Sequence, residues 1–366
     1  MSKYKLCEIG FFKNGLNFSA DKVDSGCKII GIPDFGDKYV ANIDGLKEIN
    51  SEIVTSDYYL KENDILLVRS NGNKNLVGRS MIIGEINEPV SFSGFCIRFR
   101  VTNNQVLPLY VLYLLKSPLF RKLFSNTQQT SISNLNQDIL GNIEFDIPPL
   151  NEQHKIVEIL HSITLKIETN EKINDNLQQQ LILVYEHMMS KSLKNTCQGN
   201  YCTLANVSDV VTGKEDANFS VPNGKYKFFT CSNDTLTCND FVWDKSAVLI
   251  AGNGDFNVKH YTGKFNAYQR TYVLTPPEEY YGLVYMASLY RINSFKSASA
   301  GSIVKFIAKA DIENIPLFIP KDTSYLQCMN KLIHLQEKNN QENEVLVSLR
   351  DWLLPMLMNG QAIITN

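Results

Sequence analysis

The sequence predicts an α/β fold: two similar mixed α/β domains, separated and joined by two long antiparallel helices as a coiled coil, in a pseudo-two-fold internal repeat. Three observations carry this. The chain has 366 residues, beyond the roughly 250–300 at which a single core stops growing. Its motifs recur in order, as expected of a duplicated unit. Two runs free of glycine, and of proline until Pro355, carry apolar residues in alternating steps of four and three, the signature of a helix pair.

The first domain is expected over 1–150 and the second over 199–320. Leu6, Ile9, Phe12 and Gly15 match Leu204, Val207, Val210 and Gly213 at one constant offset. "DILLVRSNG" (Asp64–Gly72) resembles "SAVLIAGNG" (Ser246–Gly254), an apolar run into an Asn-Gly turn. "NIEFDIP" (Asn142–Pro148) resembles "NIPLFIP" (Asn314–Pro320), and each leads into a long helix. Each domain also holds one apolar helical run, "PLYVLYLLKSPLFRKLF" and "YYGLVYMASLYRI".

The helices are expected over 151–198 and within 321–366. The first seam reads Ile156, Leu160, Ile163, Ile167, Asn170, Asn174, Leu177 and Leu181. The second includes Met329, Leu332, Asn339, Asn343, Leu346, Leu353 and Leu357. Two asparagines recur at the same places in both. A two-fold relation makes the helices antiparallel and sets Asn170 opposite Asn343, Asn174 opposite Asn339, Ile167 on Leu346, Leu160 on Leu353 and Leu181 on Leu332. Buried amides of this kind fix register, because a slip would leave them unsatisfied against leucine. At about 1.5 Å per residue such helices span roughly 55–60 Å, about sixteen base pairs of duplex at roughly 3.4 Å each.

Net charge is −2, which argues against adhesion of the whole chain to nucleic acid. The local pattern differs. Between Pro89 and Gln137 there is no acid, but Arg98, Arg100, Lys116, Arg121 and Lys122. Between Phe256 and Ala310 only Glu278 and Glu279 oppose seven lysines and arginines, among them Lys259, Arg270 and Lys305. Two basic regions are compatible with two phosphate-facing surfaces; the plainer reading is two solvated faces. No run is apolar and long enough to span a membrane, and a cytoplasmic protein is expected.

Catalytic constellations are missing. There is no GxxxxGK[ST] loop and no HExxH. The eight cysteines include no CxxC, and Cys197, Cys202, Cys231 and Cys238 lack zinc-site spacing. "AGNGDF" reads as a hairpin turn, because no good helix follows it. No metal site, no cofactor in this chain and no enzyme activity are expected.

The tandem of "DIPPLNEQHKIVEIL" (146–160), its continuation "IETNEKINDNLQQQL", and "LRDWLLPMLMNGQ" (349–361) resembles the specificity subunit of type I restriction–modification systems along essentially the whole chain. The second junction, "IPKDTSYLQCMNKL", departs from the first: no "PLxEQ" follows Pro320. The resemblance implies that each domain is a target recognition domain reading one half of a bipartite site in double-stranded DNA. It implies helices that set the gap and dock two methyltransferase subunits, which bind S-adenosylmethionine and methylate adenine. It also implies restriction subunits with helicase and nuclease activity. Two other readings fit the same features: a stand-alone DNA-binding regulator, and a recognition subunit of another methyltransferase–nuclease class.

Base reading needs polar side chains on strand ends or loops. In the first domain the candidates are Arg69, Ser70, Asn71, Lys74, Asn75 and Arg79, with Gln128, Gln129 and Thr130 in a second polar stretch. In the second they are Asn253, Asn257, Lys259, His260, Gln269 and Arg270, with Lys305 as a phosphate contact.

Overall fold

The computed structural model describes residues 2–18, 26–36, 38–73, 76–125, 135–298 and 306–362. The chain divides into two compact units, one formed by Met1–Ile167 with Val345–Asn366, the other by Glu168–Glu344. The division therefore falls inside the two long helices rather than at their ends.

In the first unit the elements run β1 (Ser2–Lys5), α1 (Leu6–Ile9), β2 (Gly10–Asn14), β3 (Gly26–Ile30), β4 (Lys47–Asn50), β5 (Ile65–Val68), β6 (Ser80–Ile82), β7 (Val90–Phe92), β8 (Cys96–Val101), α2 (Pro108–Lys116), α3 (Pro118–Ser125), α4 (Gln137–Gly141) and β9 (Glu144–Ile147). Helix α5 (Leu150–Leu193) then begins. The described strands form a four-stranded sheet, β2-β8-β5-β6, a three-stranded sheet, β4-β3-β7, and a pair, β1-β9. Strand β5 is buried along its whole length, which explains why Ile65–Val68 is a continuous apolar run rather than an alternating one. The apolar run read as one helix is two. Ser117 is extended before Pro118, as the proline ring demands of the residue ahead of it.

The second unit runs β10 (Gly199–Thr203), β11 (Val210–Thr212), β12 (Tyr226–Phe229), β13 (Leu236–Cys238), β14 (Trp243–Ala251), β15 (Val258–Ala267), β16 (Thr271–Leu274), α6 (Tyr281–Ala298), α7 (Lys309–Glu313), β17 (Pro316–Pro320) and α8 (Ser324–Met358). One six-stranded sheet, β11-β16-β14-β15-β12-β13, takes the place of the two larger sheets of the first unit, and β10 pairs with β17.

The repeat holds at the level of single hydrogen bonds. The Leu6 N–H donates to the Ile143 carbonyl, and the Leu204 N–H to that of Ile315. The Asn142 side chain donates to the Asp138 carbonyl at 2.9 Å, and that of Asn314 to Ala310 at the same distance. Gly15 and Gly213 also correspond. Each donates its N–H at 3.0 Å, to the carbonyls of Cys96 and Thr271 respectively. A Cβ on either would lie 2.0–2.1 Å from a backbone oxygen, that of Ser93 or Ala267. Only glycine permits this approach.

Helix α5 ends five residues short of the expected 198. Asn195 there takes a left-handed φ of 54°, which closes the helix much as a C-terminal glycine would. Helix α8 starts at Ser324, whose N–H is held by the Asp322 carboxylate at 3.0 Å. The departure from "PLxEQ" at this junction is thus met by a different cap.

The seam is antiparallel in the expected register. Asn170 Nδ2 donates to Asn343 Oδ1 at 2.8 Å, and Asn339 Nδ2 to Asn174 Oδ1 at 2.8 Å. Asn174 also donates to Asn340 Oδ1, and Gln336 donates to the Asn174 carbonyl. The helices are more than spacers. Ile156 and Leu160 belong to the main core of the first unit with Leu354 and Leu357. Leu177 and Leu181 belong to that of the second with Met329 and Leu332. Burial of apolar surface, at about 25 cal/mol per Å², therefore holds each unit to its own stretch of the helix pair. No described helix is long and apolar enough to cross a membrane.

Candidate nucleic-acid interface

In the first unit the β5–β6 connection brings Arg69, Ser70, Asn71 and Arg79 to one end of the four-stranded sheet. The hairpin register pairs Leu67 with Ser80, and Val68 N–H donates to the Arg79 carbonyl. Asn71 Oδ1 caps the turn by accepting from Asn73 N–H at 2.7 Å. The turn from Ser93 to Cys96 lies beside it. Arg69 N–H donates to the Phe95 carbonyl at 2.7 Å, and Arg69 Nη1 reaches the Gly94 carbonyl at 3.4 Å. The candidates Lys74, Asn75, Gln128, Gln129 and Thr130 lie outside the described residues, as does Lys305 of the second unit.

In the second unit the β14–β15 connection carries Asn253 and Asn257 through a tight loop, with Gly254 and Phe256 at φ of 69° and 44°. The "AGNGDF" stretch is the hairpin turn that was expected. Asn257 Nδ2 donates to the Cys231 carbonyl at 3.0 Å, and Lys259 Nζ to that of Ser232 at 2.7 Å. Both bonds draw the β12–β13 turn against this loop. Burial lowers the Lys259 pKa, with Asp234 opposing. Gln269 and Arg270 are exposed on the β15–β16 turn.

His260 does not join this group. Strand alternation turns it away from Lys259, and its ring packs edge-on against Tyr285 at 4.7 Å. Its Nδ1 lies 3.1 Å from Glu337 Oε1 on α8; a carboxylate only accepts, so Nδ1 is the donor. Tyr281 donates to the same oxygen at 2.6 Å. His260 thus ties the sheet to the helix rather than facing solvent.

The first basic region is also thinner than its composition. Arg98 is only 2% exposed and donates to the Asp57 carbonyl at 3.0 Å; burial lowers its pKa. Arg100 makes a bidentate pair with buried Asp64, at 2.6 Å on each arm, and that bonding raises its pKa. Lys116 donates to the Lys38 carbonyl at 3.2 Å and sits over the Tyr39 ring. These cations were counted as surface charge, and the fold spends them internally. Sequence cannot separate the two uses, because both call for the same residue type on a strand.

Two exposed residues were missed. Phe95 is 60% exposed on the turn beside Arg69. Lys214 is exposed next to Gly213. "SFSGFC" marks a turn through its serines and glycine, but nothing local marks the Phe95 ring as exposed.

The two turns are built alike. Cys96 N–H closes on the Ser93 carbonyl at 2.8 Å, and Thr271 N–H on that of Tyr268 at 2.8 Å. Ser93 N–H donates to Ile30, and Tyr268 N–H to Phe229, each at 2.9 Å. Residues 2–179 match the family model described as the type I restriction modification DNA specificity domain. Over these residues the chain carries the DNA specificity domain of type I restriction–modification systems. The chain is 36% identical over 165 residues to the EcoDI specificity subunit of Escherichia coli, covering 43% of this chain and 37% of that relative. It is 26% identical over 196 residues to the StySPI specificity subunit of Salmonella potsdam, covering 52% and 41%. The matches thus span about two-fifths of the length of these relatives. The fold is that of a solved type I restriction–modification S subunit from M. genitalium. The two superpose with a TM-score of 0.61 at 16% identity, over 100% of this chain and 96% of that one.

Helix α8 also presents exposed apolar side chains. Val345, Leu349 and Trp352 on α8 are 68%, 41% and 59% exposed. Their spacing places them on one helix face, off the seam.

Proposed function

We propose that this chain is the DNA sequence-recognition subunit of a type I restriction–modification complex and catalyses no reaction itself. Each unit reads one half of a bipartite double-stranded target. The helices set the gap between the halves and dock two methyltransferase subunits, which supply S-adenosylmethionine chemistry; restriction subunits join that core. The observation that carries this reading is the duplicated loop framework: one pattern of backbone hydrogen bonds presents different polar and apolar side chains in the two units. Half-sites of different sequence require such divergence on a shared scaffold, since phosphate contacts position a protein and base contacts specify. The apolar stripe of Val345, Leu349 and Trp352 supports docking of a protein partner, because large apolar anchors dominate interface energetics.

The test is to map methylated adenines in DNA from cells with and without this chain. A gapped motif present only with the chain is the expected result. Sequence-specific binding by the isolated chain, with no change in methylation, would favour a stand-alone regulator. In that case the chain would co-purify with no methyltransferase.

A further inference from the structure

Phe95 and Arg270 occupy the same place in the two units. Each is the third residue of a four-residue turn closed by the bonds described above. Each carbonyl accepts from the residue that follows the central strand: Arg69 N–H at 2.7 Å onto Phe95, and Gly252 N–H at 2.9 Å onto Arg270. The chain is pinned once more at those strand ends, where Leu135 N–H donates to the Arg69 carbonyl and Ile307 N–H to that of Gly252. The residue before each is held by the strand that enters the turn's other side. Gly94 donates to Leu16 and Gln269 to Glu215, with Lys214 as one extra residue in the second unit. The backbone at this position is therefore fixed from several directions, while the side chain is not. Neither the Phe95 nor the Arg270 side chain makes a hydrogen bond, ion pair or ring contact with another described residue, and both are exposed.

The fold has no use for these side chains. Neither residue takes a positive φ, so the backbone there does not call for glycine. A phenylalanine left 60% exposed forgoes the burial that would stabilise it, roughly 2 kcal/mol by side-chain transfer. Rigid backbone under a free side chain is what precise recognition needs, because little ordering remains to be done on binding. The chemistry at the two tips is opposite, apolar in one and cationic in the other, while Arg69 flanks the first and Asn253 the second.

We infer that this turn position is a base-reading position in both units: Phe95 packs on a thymine methyl in one half-site, and Arg270 bonds O6 and N7 of a guanine in the other. These are the contacts their chemistry makes in the major groove. The inference rests on the proposed function and names the residues that carry its specificity.

The experiment uses the full chain assembled with its methyltransferase subunits, after the wild-type target has been mapped. Phe95→Ala and Arg270→Ala are compared on duplexes altered one base pair at a time. Phe95→Ala should reduce the preference for one thymine, in one half-site only, by roughly three- to tenfold, as loss of a methyl contact implies. Deoxyuridine at that thymine should cost the wild type as much and cost the variant nothing further. Phe95→Leu should retain the preference. Arg270→Ala should relax one G·C pair of the other half-site by roughly tenfold or more. Variants that unfold like wild type yet keep every base preference overturn the inference. A wild-type chain that directs methylation to no gapped target overturns instead the function on which it rests.

Discussion

Asn339 Nδ2 donates to Asn174 Oδ1 at 2.8 Å, and Asn174 Nδ2 turns to Asn340 Oδ1 at 2.8 Å. The amides satisfy each other in a polar stretch of the seam that also holds Asn170, Asn343 and Gln336, so each is costly to orphan. Asn174→Leu alone should destabilise by about 1–3 kcal/mol, the cost of an unmatched amide. Asn174→Leu combined with Asn339→Leu should recover most of that loss. A double-mutant cycle in denaturant unfolding measures the coupling; additive effects would show that the pair is not linked.

Glu337 is a second point of exposure to change. Burial raises its pKa, but bonds from His260 and Tyr281 outweigh burial, and the net shift is downward. A depressed carboxylate contributes stability that is complete above its unfolded value, roughly pH 4.3, and is lost as pH falls through the folded one. Glu337→Leu should cost about 3 kcal/mol near pH 7, the scale of breaking a buried charged network. That difference from wild type should shrink below about pH 4. Unfolding curves at several pH values check it; a deficit constant with pH would contradict the ionic role.

The arginines of the first basic region should behave unlike Arg270. Arg98→Gln and Arg100→Gln remove groups bonded to Asp57, Tyr59 and Asp64. They should lower stability by about 2–3 kcal/mol and leave the salt dependence of DNA binding unchanged. Substituting a phosphate-contacting lysine or arginine should instead reduce the slope of log K against log salt by about one. Lys259→Gln is the variant to measure, since its Nζ has two donors left after the Ser232 bond.

Gly15→Ala and Gly213→Ala should each be severe, by about 2–4 kcal/mol. The new methyl meets the Ser93 or Ala267 carbonyl, which is backbone and cannot rotate aside. The variants should also loosen the turns that carry Phe95 and Arg270, one half-site each. Thermal unfolding together with binding to singly altered half-sites separates the two effects; wild-type behaviour in both would refute the close approach.

Trp352→Ala should leave the fold intact, because the ring is exposed, and weaken methyltransferase association by about 2 kcal/mol or more, as a buried aromatic anchor does at an interface. Titration of the partner subunit against wild type and variant reads this directly. Unaltered affinity would remove Trp352 from the docking surface.

Much of the architecture was legible in the sequence because periodicity is a local property. Steps of four and three at Ile156 through Leu181 place those side chains on one face whatever packs there, and the repeated asparagines define the register. Gly15 and Gly213 were visible as a matched pair, and Arg69 and Arg270 as cations at turns. The extent of helices α5 and α8 was less clear, since their ends depend on single caps, Asp322 and the left-handed Asn195.

What only tertiary structure decided is how each polar residue is spent. Arg98, Arg100 and His260 have the composition of a nucleic-acid surface, yet Asp57, Asp64 and Glu337 reach them from 36 to 77 residues away along the chain. Phe95 drew no notice in the sequence, yet its turn is held by backbone bonds to Leu16 and Arg69 and its ring is left 60% exposed. The sequence by itself determined the duplication, the helix seam and the pairing register, all set by nearest-neighbour spacing. Long-range hydrogen bonds decided which cations fold inward and which side chains are left facing solvent.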